Sequence, residues 1–374
     1  MTLYYINPMS YLNSALYDYN LLSNLSDDIK VTFFGNVQYD AGAIPTAVFK
    51  PSFDYQQRKG TVGKALSYAC SLLRVMAKCL WQKPDVVHIQ WIKFPSLDTF
   101  FLRMLRLRDI RVVYTAHNVL PHADIQRKQQ KAFVRYYHLL SAIIVHSDTT
   151  RKELTAQFGI ADEKISVIPH GLIKISYDPG KVAHWAGRLR EQHHGKIIFT
   201  TLGQQKYYKG VHLLTQLWSE DPAISHNDRI HLIIAGRQYA GVDTTPLTGN
   251  KNVTILNRYI DDDEYIALSR ATDVMLMPYL RISQSGVLIS AINEHVPILV
   301  SNVGGLPEPL TIAPIGWNMG EPTSENLRKA ILDIASHPEA IEAIKRDDAA
   351  WQRLADAYSW KQIGEKTTKL YSKL

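Results

Sequence analysis

The sequence predicts an α/β protein made of two doubly wound domains in tandem, each a parallel sheet with helices on both faces. Three observations predict it. The chain has 374 residues, about twice the roughly 150 residues of an ordinary domain. Short β-rich apolar runs recur along it with helical patterns between them, the alternation that builds parallel sheets. The runs also fall into two series, parted by a polar stretch punctuated by proline and glycine from Pro169-His170-Gly171 to Gly195.

The first series runs through residues 3–6, 31–34, 86–89, 112–116, 142–145 and 165–168. The second runs through 197–202, 230–235, 253–256, 274–277 and 298–300. Each is of strand length and apolar nearly throughout, as expected of a strand covered on both faces. Between the second and third runs, Val62, Ala65, Leu66, Ala69, Leu72, Leu73, Met76 and Leu80 recur at helical spacing. They predict an amphipathic helix with that set over the core, and Lys64, Ser67, Ser71, Arg74 and Lys78 on its other face. The segment 360–374 reads as one amphipathic helix. The expected divisions are 1–180, 181–356 and a terminal helix at 357–374.

Composition narrows the function. A chain that is 46% apolar and 21% charged buries a large core, which excludes wholesale disorder. No apolar run approaches the roughly 20 residues of a membrane-spanning helix. The start, Met1 to Pro8, shows no basic region before an apolar run, so no signal peptide is expected. Cys70 and Cys79 lie nine positions apart in one expected helix, too far along its axis to pair, and they fit no metal-ligand spacing. A reduced, cytoplasmic setting is the expectation. The net charge of +7 sits in residues 1–180, and residues 58–111 alone hold 11 basic against 3 acidic side chains. Arg103, Arg106 and Arg108 stand among Phe100, Phe101, Leu102, Met104, Leu105 and Leu107. Such basic-apolar surfaces suit an anionic inner leaflet.

Ligands of open α/β sheets bind outside the carboxyl ends of the strands, so the residues just after each strand are the site candidates. Gly203-Gln204-Gln205-Lys206-Tyr207-Tyr208-Lys209-Gly210 follows one strand and opens an apolar helix. Lys206 and Lys209, with the free N–H groups of that helix, are placed to receive a diphosphate. Ser283-Gln284-Ser285-Gly286-Val287 follows another strand; the serines are good helix N-caps, and Gly286 admits close backbone approach. Gly304-Gly305-Leu306-Pro307-Glu308 follows a third, with a backbone nest and a carboxylate for sugar hydroxyls. Thr115-Ala116-His117-Asn118, then Pro121-His122, closes a strand of the first series with hydrogen-bonding groups suited to a sugar or its acceptor. Each has an ordinary structural reading as a turn or a cap; the ordered set points to a nucleotide-type site.

In that ordered set the chain resembles the family 4 glycosyltransferases of the GT-B fold, the type that builds bacterial polysaccharides. The motif 115–118 with 121–122, Ile168-Pro169-His170-Gly171, Gly203 through Lys209-Gly210, 283–287 with Pro297, 304–308 and Tyr358-Ser359-Trp360 are similar to the family's motifs in order. The resemblance implies two Rossmann-like domains with parallel sheets facing across a cleft. The first binds an acceptor and the second a nucleotide sugar, and the terminal helix crosses back to the first. It implies retaining transfer from a nucleoside-diphosphate sugar to a glycan or lipid-diphosphate-linked acceptor, without an obligatory metal or other cofactor. His117, Lys206 and Lys209 would carry the chemistry. Gly203, Gln204, Gln205, Ser283, Gln284, Ser285, Gly286, Val287, Gly304, Gly305 and Glu308 would hold the donor, and Asn118 and His122 would lie on the acceptor side. An anionic membrane surface is the expected partner of the basic first domain, which would dock the enzyme peripherally on the inner face.

The chain departs from the family at definite positions. Ile282 and Ser290 stand where many members carry a pair of glutamates, and Gln204 where a phosphate-binding arginine is common. The first loop, 7–14, has no glycine. It also lacks the Gly-x-Gly-x-x-Gly of a nicotinamide-dependent dehydrogenase. No nucleic-acid motif accompanies the basic segment, so no nucleic acid is expected. A sugar-nucleotide epimerase on the same fold, or a non-catalytic partner subunit, remain the alternatives.

Overall fold

Leu3 and Tyr5 of the first strand point to one face of its sheet, Tyr4 and Ile6 to the other, and all four are buried. That double burial is why the strand is apolar throughout and why its sheet is parallel. The computed structural model describes residues 1–118 and 127–374. Chain contacts divide them into two units, Met1–Gly171 with Tyr358–Leu374, and Leu172–Ala357.

In the first unit the strands are β1 (Thr2–Ile6), β2 (Lys30–Asn36), β3 (Ala47–Phe53), β4 (Val86–Ile89), β5 (Arg111–Ala116), β6 (Ala142–Val145) and β7 (Ile165–Val167). They lie side by side in the order β3-β2-β1-β4-β5-β6-β7, every pair parallel. Helices α1 (Asn13–Leu22), α2 (Gly60–Gln82), α3 (Pro95–Arg106), α4 (Arg127–Leu139) and α5 (Asp148–Phe158) connect them. One face packs on α2 to α5 through residues such as Leu72, Phe101, Tyr136 and Leu154. The other packs on α1 through Tyr17 and Leu21, and on the final helix of the chain through Ile363 and Tyr371.

The stretch expected to link the series contains α6 (Pro179–Gln192), started by Pro179 after the Asp178 carboxylate, which accepts from the N–H groups of Gly180 and Lys181. Residues 172–180 pack with the second unit. Asn293 donates to the Ile173 carbonyl at 2.8 Å, and the Asp178 N–H to the Asp263 carboxylate at 2.7 Å. The division therefore falls after Gly171, not after residue 180.

The second unit's strands are β8 (Ile197–Leu202), β9 (Ile230–Ala235), β10 (Val253–Leu256), β11 (Val274–Met277), β12 (Ile298–Val300) and β13 (Gly316–Asn318), in the parallel order β10-β9-β8-β11-β12-β13. Around them lie α7 (Val211–Glu220), α8 (Pro222–Ser225), α9 (Asp262–Ala271), α10 (Gly286–Asn293), α11 (Glu308–Ile312), α12 (Ser324–Ser336), α13 (Pro338–Lys345) and α14 (Asp348–Ala357). The chain then returns to the first unit as α15 (Trp360–Ser372). In both sheets the strand order reverses once, between β1 and β4 and between β8 and β11. Such a reversal opens a crevice at the carboxyl ends of the strands.

Two strands lie outside the sequence expectation, β3 and β13. β3 is an edge strand with alternating exposure and a proline, Pro51, and β13 has only three residues, so neither carries an apolar run. α2 meets the expectation only in part, with Leu72, Met76 and Leu80 of the expected set packed on the core. It buries Tyr68, Ser71, Leu72, Val75 and Cys79, while Leu66 is 62% exposed, Leu73 46% and Val62 73%. The Tyr68 hydroxyl donates to the buried Asp98 carboxylate at 2.8 Å, a polar anchor that fixes which side faces the sheet. Ser71, expected on the basic face, lies in the core; Lys64, Arg74 and Lys78 remain exposed. Both cysteines are free thiols, Cys70 exposed and Cys79 buried. Among the described residues no helix is long and apolar enough to cross a membrane.

Candidate functional site

The loops after β8, β11 and β12 form one packed group at the switch point of the second sheet. The Leu280 N–H donates to the Tyr208 carbonyl at 2.7 Å, and the Ser301 hydroxyl to the Tyr279 carbonyl at 2.6 Å. Gly210 has φ +74° and lies against the Pro278 carbonyl oxygen, where a Cβ would overlap it. Gly304, at φ +57°, lies in the same way against the Ile282 carbonyl. Glycine is what lets these loops close on one another. Val287 packs beside Gly203, which joins the start of α10 to the end of β8.

Into this group β8 and the turn after it carry Lys209. The side chain is buried, and its ammonium donates to the Leu202 carbonyl at 3.0 Å and lies 5.5 Å from the centre of the Tyr279 ring. No carboxylate pairs with it among the described residues. Burial, with a smaller push from Lys206, lowers its pKa to about 8. Lys206 is half-buried, 5.3 Å from the centre of the Tyr239 ring, which Arg237 also approaches.

The neighbouring glutamines divide. Gln204 is exposed. Gln205 is fully buried, and its amide N–H groups bond the carbonyls of Gly203 and Ala235 at 2.9 and 3.0 Å. Its side chain braces the loop from inside. Ser285 takes the N-cap position of α10, yet its hydroxyl makes no cap bond. The first N–H groups of a helix so left are open to an anion. Ser283, Gln284 and Gly304 are half-buried, Gly305 is buried, Gly286 is exposed, and Glu308 opens α11. Ser290 is buried one turn into α10 and Ile282 lies in the loop before it. The arrangement has the chemistry to suit a polyanion: two lysines, one of them desolvated, beside an uncapped helix start. Among the described residues no cluster of side chains has the makings of a metal site.

In the first unit, β4 to β7 deliver Gln90, His117, His146 and His170 to the carboxyl edge of the sheet. His117 Nε2 lies 2.8 Å from the Gln90 amide and His117 Nδ1 3.2 Å from His146 Nε2. Trp91 stacks on the His117 ring, with centroids 4.7 Å apart and planes 7° apart, and Tyr17 meets it edge-on. Burial holds His117 well below the usual imidazole range and lowers His88 and His146 to about 3. Both ring nitrogens of His117 are thus engaged within the unit, and the ring is neutral at pH 7. Asn118 is half-buried beside it, and His122 lies outside the described residues. In the first loop Leu12 adopts φ +52° with its side chain 72% exposed, a conformation that favours glycine and costs a larger residue roughly 1–3 kcal/mol.

Sequence reasoning missed Gln90, Trp91, His146 and Tyr17. Three of them directly follow strands, so the strand-end rule reaches them; Tyr17, in mid-helix, carries no such signal.

Fold and site together define a two-unit α/β protein with lysines and an uncapped helix start at the switch point of its second sheet. A family model for Glycosyltransferase Family 4 matches residues 19–173, and one for Glycosyl transferases group 1 matches residues 196–337. Glycogen synthase of Mycobacterium tuberculosis is 25% identical over 309 residues, covering 77% of this chain and 69% of that protein. D-rhamnosyltransferase WbpZ of Pseudomonas aeruginosa is 27% identical over 247 residues, covering 62% of this chain and 61% of that one. Among solved structures, Anabaena Alr3699/HepE in complex with UDP shares the fold with a TM-score of 0.70 at 16% identity, each chain covered in full (100%). WaaG, a glycosyltransferase involved in lipopolysaccharide biosynthesis, does so with 0.67 at 14%, again over 100% of both chains. This chain belongs to the family 4-like glycosyltransferases of the GT-B fold.

Proposed function

We propose that the chain moves a sugar from a nucleoside-diphosphate sugar to a glycan or lipid-diphosphate-linked acceptor in cell-surface polysaccharide synthesis, with retention and without an obligatory metal. The observation that carries this is Lys209, a desolvated ammonium with a carbonyl but, among the described residues, no carboxylate beside it, at the switch point next to an uncapped helix start. Complexes of the Anabaena neighbour with UDP and UDP-glucose support the donor class. The D-rhamnosyltransferase and an Escherichia coli O-antigen chain mannosyltransferase among the relatives support the acceptor class.

The hard step is departure of the nucleoside diphosphate with its charge. Lys209, Lys206 and the α10 N–H groups stabilise that charge as it develops. Gly304, Gly305 and Glu308 bind donor hydroxyls. His117 of the first unit takes part as a neutral ring rather than as a free donor or acceptor. No protein nucleophile is assigned. Lys209→Ala cuts turnover about 100-fold or more, measured as transfer from a panel of nucleoside-diphosphate sugars with their hydrolysis followed in parallel. Wild-type turnover in that variant removes Lys209 from the mechanism. Release of a modified free sugar without acceptor assigns the site to an epimerase instead.

The acceptor side belongs to the first unit. α2, α3 and the turn after α3 expose Leu66, Leu73, Trp81, Phe100 and Leu107, along with Lys64, Arg74, Lys78, Arg103, Arg106 and Arg108. Exposed apolar side chains together with exposed cations on these elements fit an anionic bilayer surface, where a lipid-linked acceptor resides.

A further inference from the structure

Hydrogen-bond directions around His117 follow from a single atom. The Ile168 carbonyl can only accept, so His146 Nδ1, 2.9 Å away, carries a proton. A neutral His146 then has a bare Nε2, and that atom faces His117 Nδ1 at 3.2 Å. Two lone pairs do not face each other at that distance, so His117 Nδ1 bears the hydrogen. A neutral His117 is then bare at Nε2 and needs a donor, and the group in reach at 2.8 Å is the Gln90 amide. The two ends of a glutamine amide are nearly isosteric and are told apart by their partners. With its NH2 toward His117, the Gln90 oxygen falls beside His88 Nε2 and the Thr115 hydroxyl, each 3.1 Å away, and both can donate. His88 is then bare at Nδ1, where the Tyr371 hydroxyl donates at 2.5 Å. Every group in the chain from Tyr371 to Ile168 is satisfied without a net charge. The opposite amide orientation leaves the two imidazoles facing each other lone pair to lone pair.

We propose that Gln90 and His146 are positioning residues that hold His117 as a neutral imidazole protonated at Nδ1, with the Gln90 NH2 turned toward Nε2. The parallel Trp91 ring fixes the plane of the imidazole while these two bonds fix its rotation. The value of the neutral state is electrostatic. The sugar carbon gains positive charge as the leaving group departs, and a neutral imidazole adds no charge of the same sign to oppose it. The consequence for turnover rests on the glycosyl-transfer reading; the tautomer does not.

The test is 15N NMR of histidine-labelled full-length protein at pH 7. The chain has 14 histidines, so the His117 signals are identified by their loss in His117→Asn. The expected result is a neutral ring with the hydrogen on Nδ1; a hydrogen on Nε2, or an imidazolium, overturns the proposal. Gln90→Glu then replaces the donor at Nε2 with an acceptor. The His117 signals should change to those of an imidazolium, and kcat should fall at least tenfold with KM within about twofold. An unchanged spectrum, or unchanged kcat beside a changed spectrum, overturns the positioning role. If no donor sugar is turned over by the wild type, the glycosyl-transfer reading fails, and the NMR result still decides the tautomer on its own.

Discussion

Lys209 is held in the fold at an energetic disadvantage that a ligand relieves. Its ammonium has given up water for one carbonyl and the face of one tyrosine ring, and the displacement of its pKa to about 8 records the loss. A diphosphate arriving beside it supplies the missing counter-charge. The sign of the pH dependence follows. Lysine is charged below its pKa, so the affinity for a nucleoside diphosphate is level toward neutral pH and falls as pH rises through about 8, by up to tenfold for each further unit. Calorimetric titration of the wild type across that range, with Lys209→Ala as the pH-independent control, reads it directly. A break near the ordinary lysine value would show that the side chain is not desolvated in solution. His117 stands at the other pole: a buried imidazole whose two nitrogens are already satisfied, and so a neutral wall rather than a titrating acid or base.

At the scale of the element, α2 is the informative case. It carries two apolar arcs, one of Tyr68, Leu72, Val75 and Cys79 and one that includes Val62, Leu66 and Leu73. Periodicity finds both and cannot rank them. The hydrogen bond from Tyr68 to Asp98 and the packing of Tyr68 against Phe53, Tyr55 and Phe94 decide the matter, and those partners are distant in sequence. The unsatisfied arc is the one proposed to meet the bilayer. Leu66→Glu with Leu73→Glu removes two apolar contacts worth about 1.5–3 kcal/mol each if buried. The double variant should therefore lose at least tenfold in sedimentation with anionic vesicles while its melting temperature stays nearly constant, since exposed positions contribute little to the fold. Equal binding of the wild type to neutral and anionic vesicles would sink the membrane proposal.

The same contrast explains what was legible in the sequence. Central strands such as β8 and β9 are buried throughout and announce themselves, as do the lysine and glycine loops after them. β3 and α6 are half-exposed and have no such run. The part taken by Gln205 was hidden because its amide bonds the carbonyls of Thr201 in β8 and Ala235 in β9 together. The chain from Tyr371 to Ile168 joins residues from both ends of the first unit, and no spacing in the sequence encodes it.

At the scale of the whole molecule, the chain leaves the first unit after Gly171 and comes back to it at Tyr358, so the last helix is a structural part of a domain laid down some two hundred residues earlier. α15 buries Ile363 and Tyr371 in the core shared with Tyr17 and Leu21, sets Trp360 edge-on against Tyr17 with ring centroids 5.1 Å apart, and brings the Tyr371 hydroxyl to His88. The second unit ends at Ala357 and encloses its own core without it. Ending the chain after Ala357 should therefore weaken the two units unequally. Loss of the two buried side chains alone removes about 3–6 kcal/mol from the first, a large share of the 5–15 kcal/mol typical of a folded protein. Scanning calorimetry of the truncated chain should resolve an early transition that a nucleoside diphosphate does not move and a later one that it raises, because the ligand stabilises only the unit that binds it. A single transition raised as a whole by the ligand would mean that the stability of the donor-binding unit depends on the terminal helix, and would overturn the separation of donor site and terminal helix into independent units.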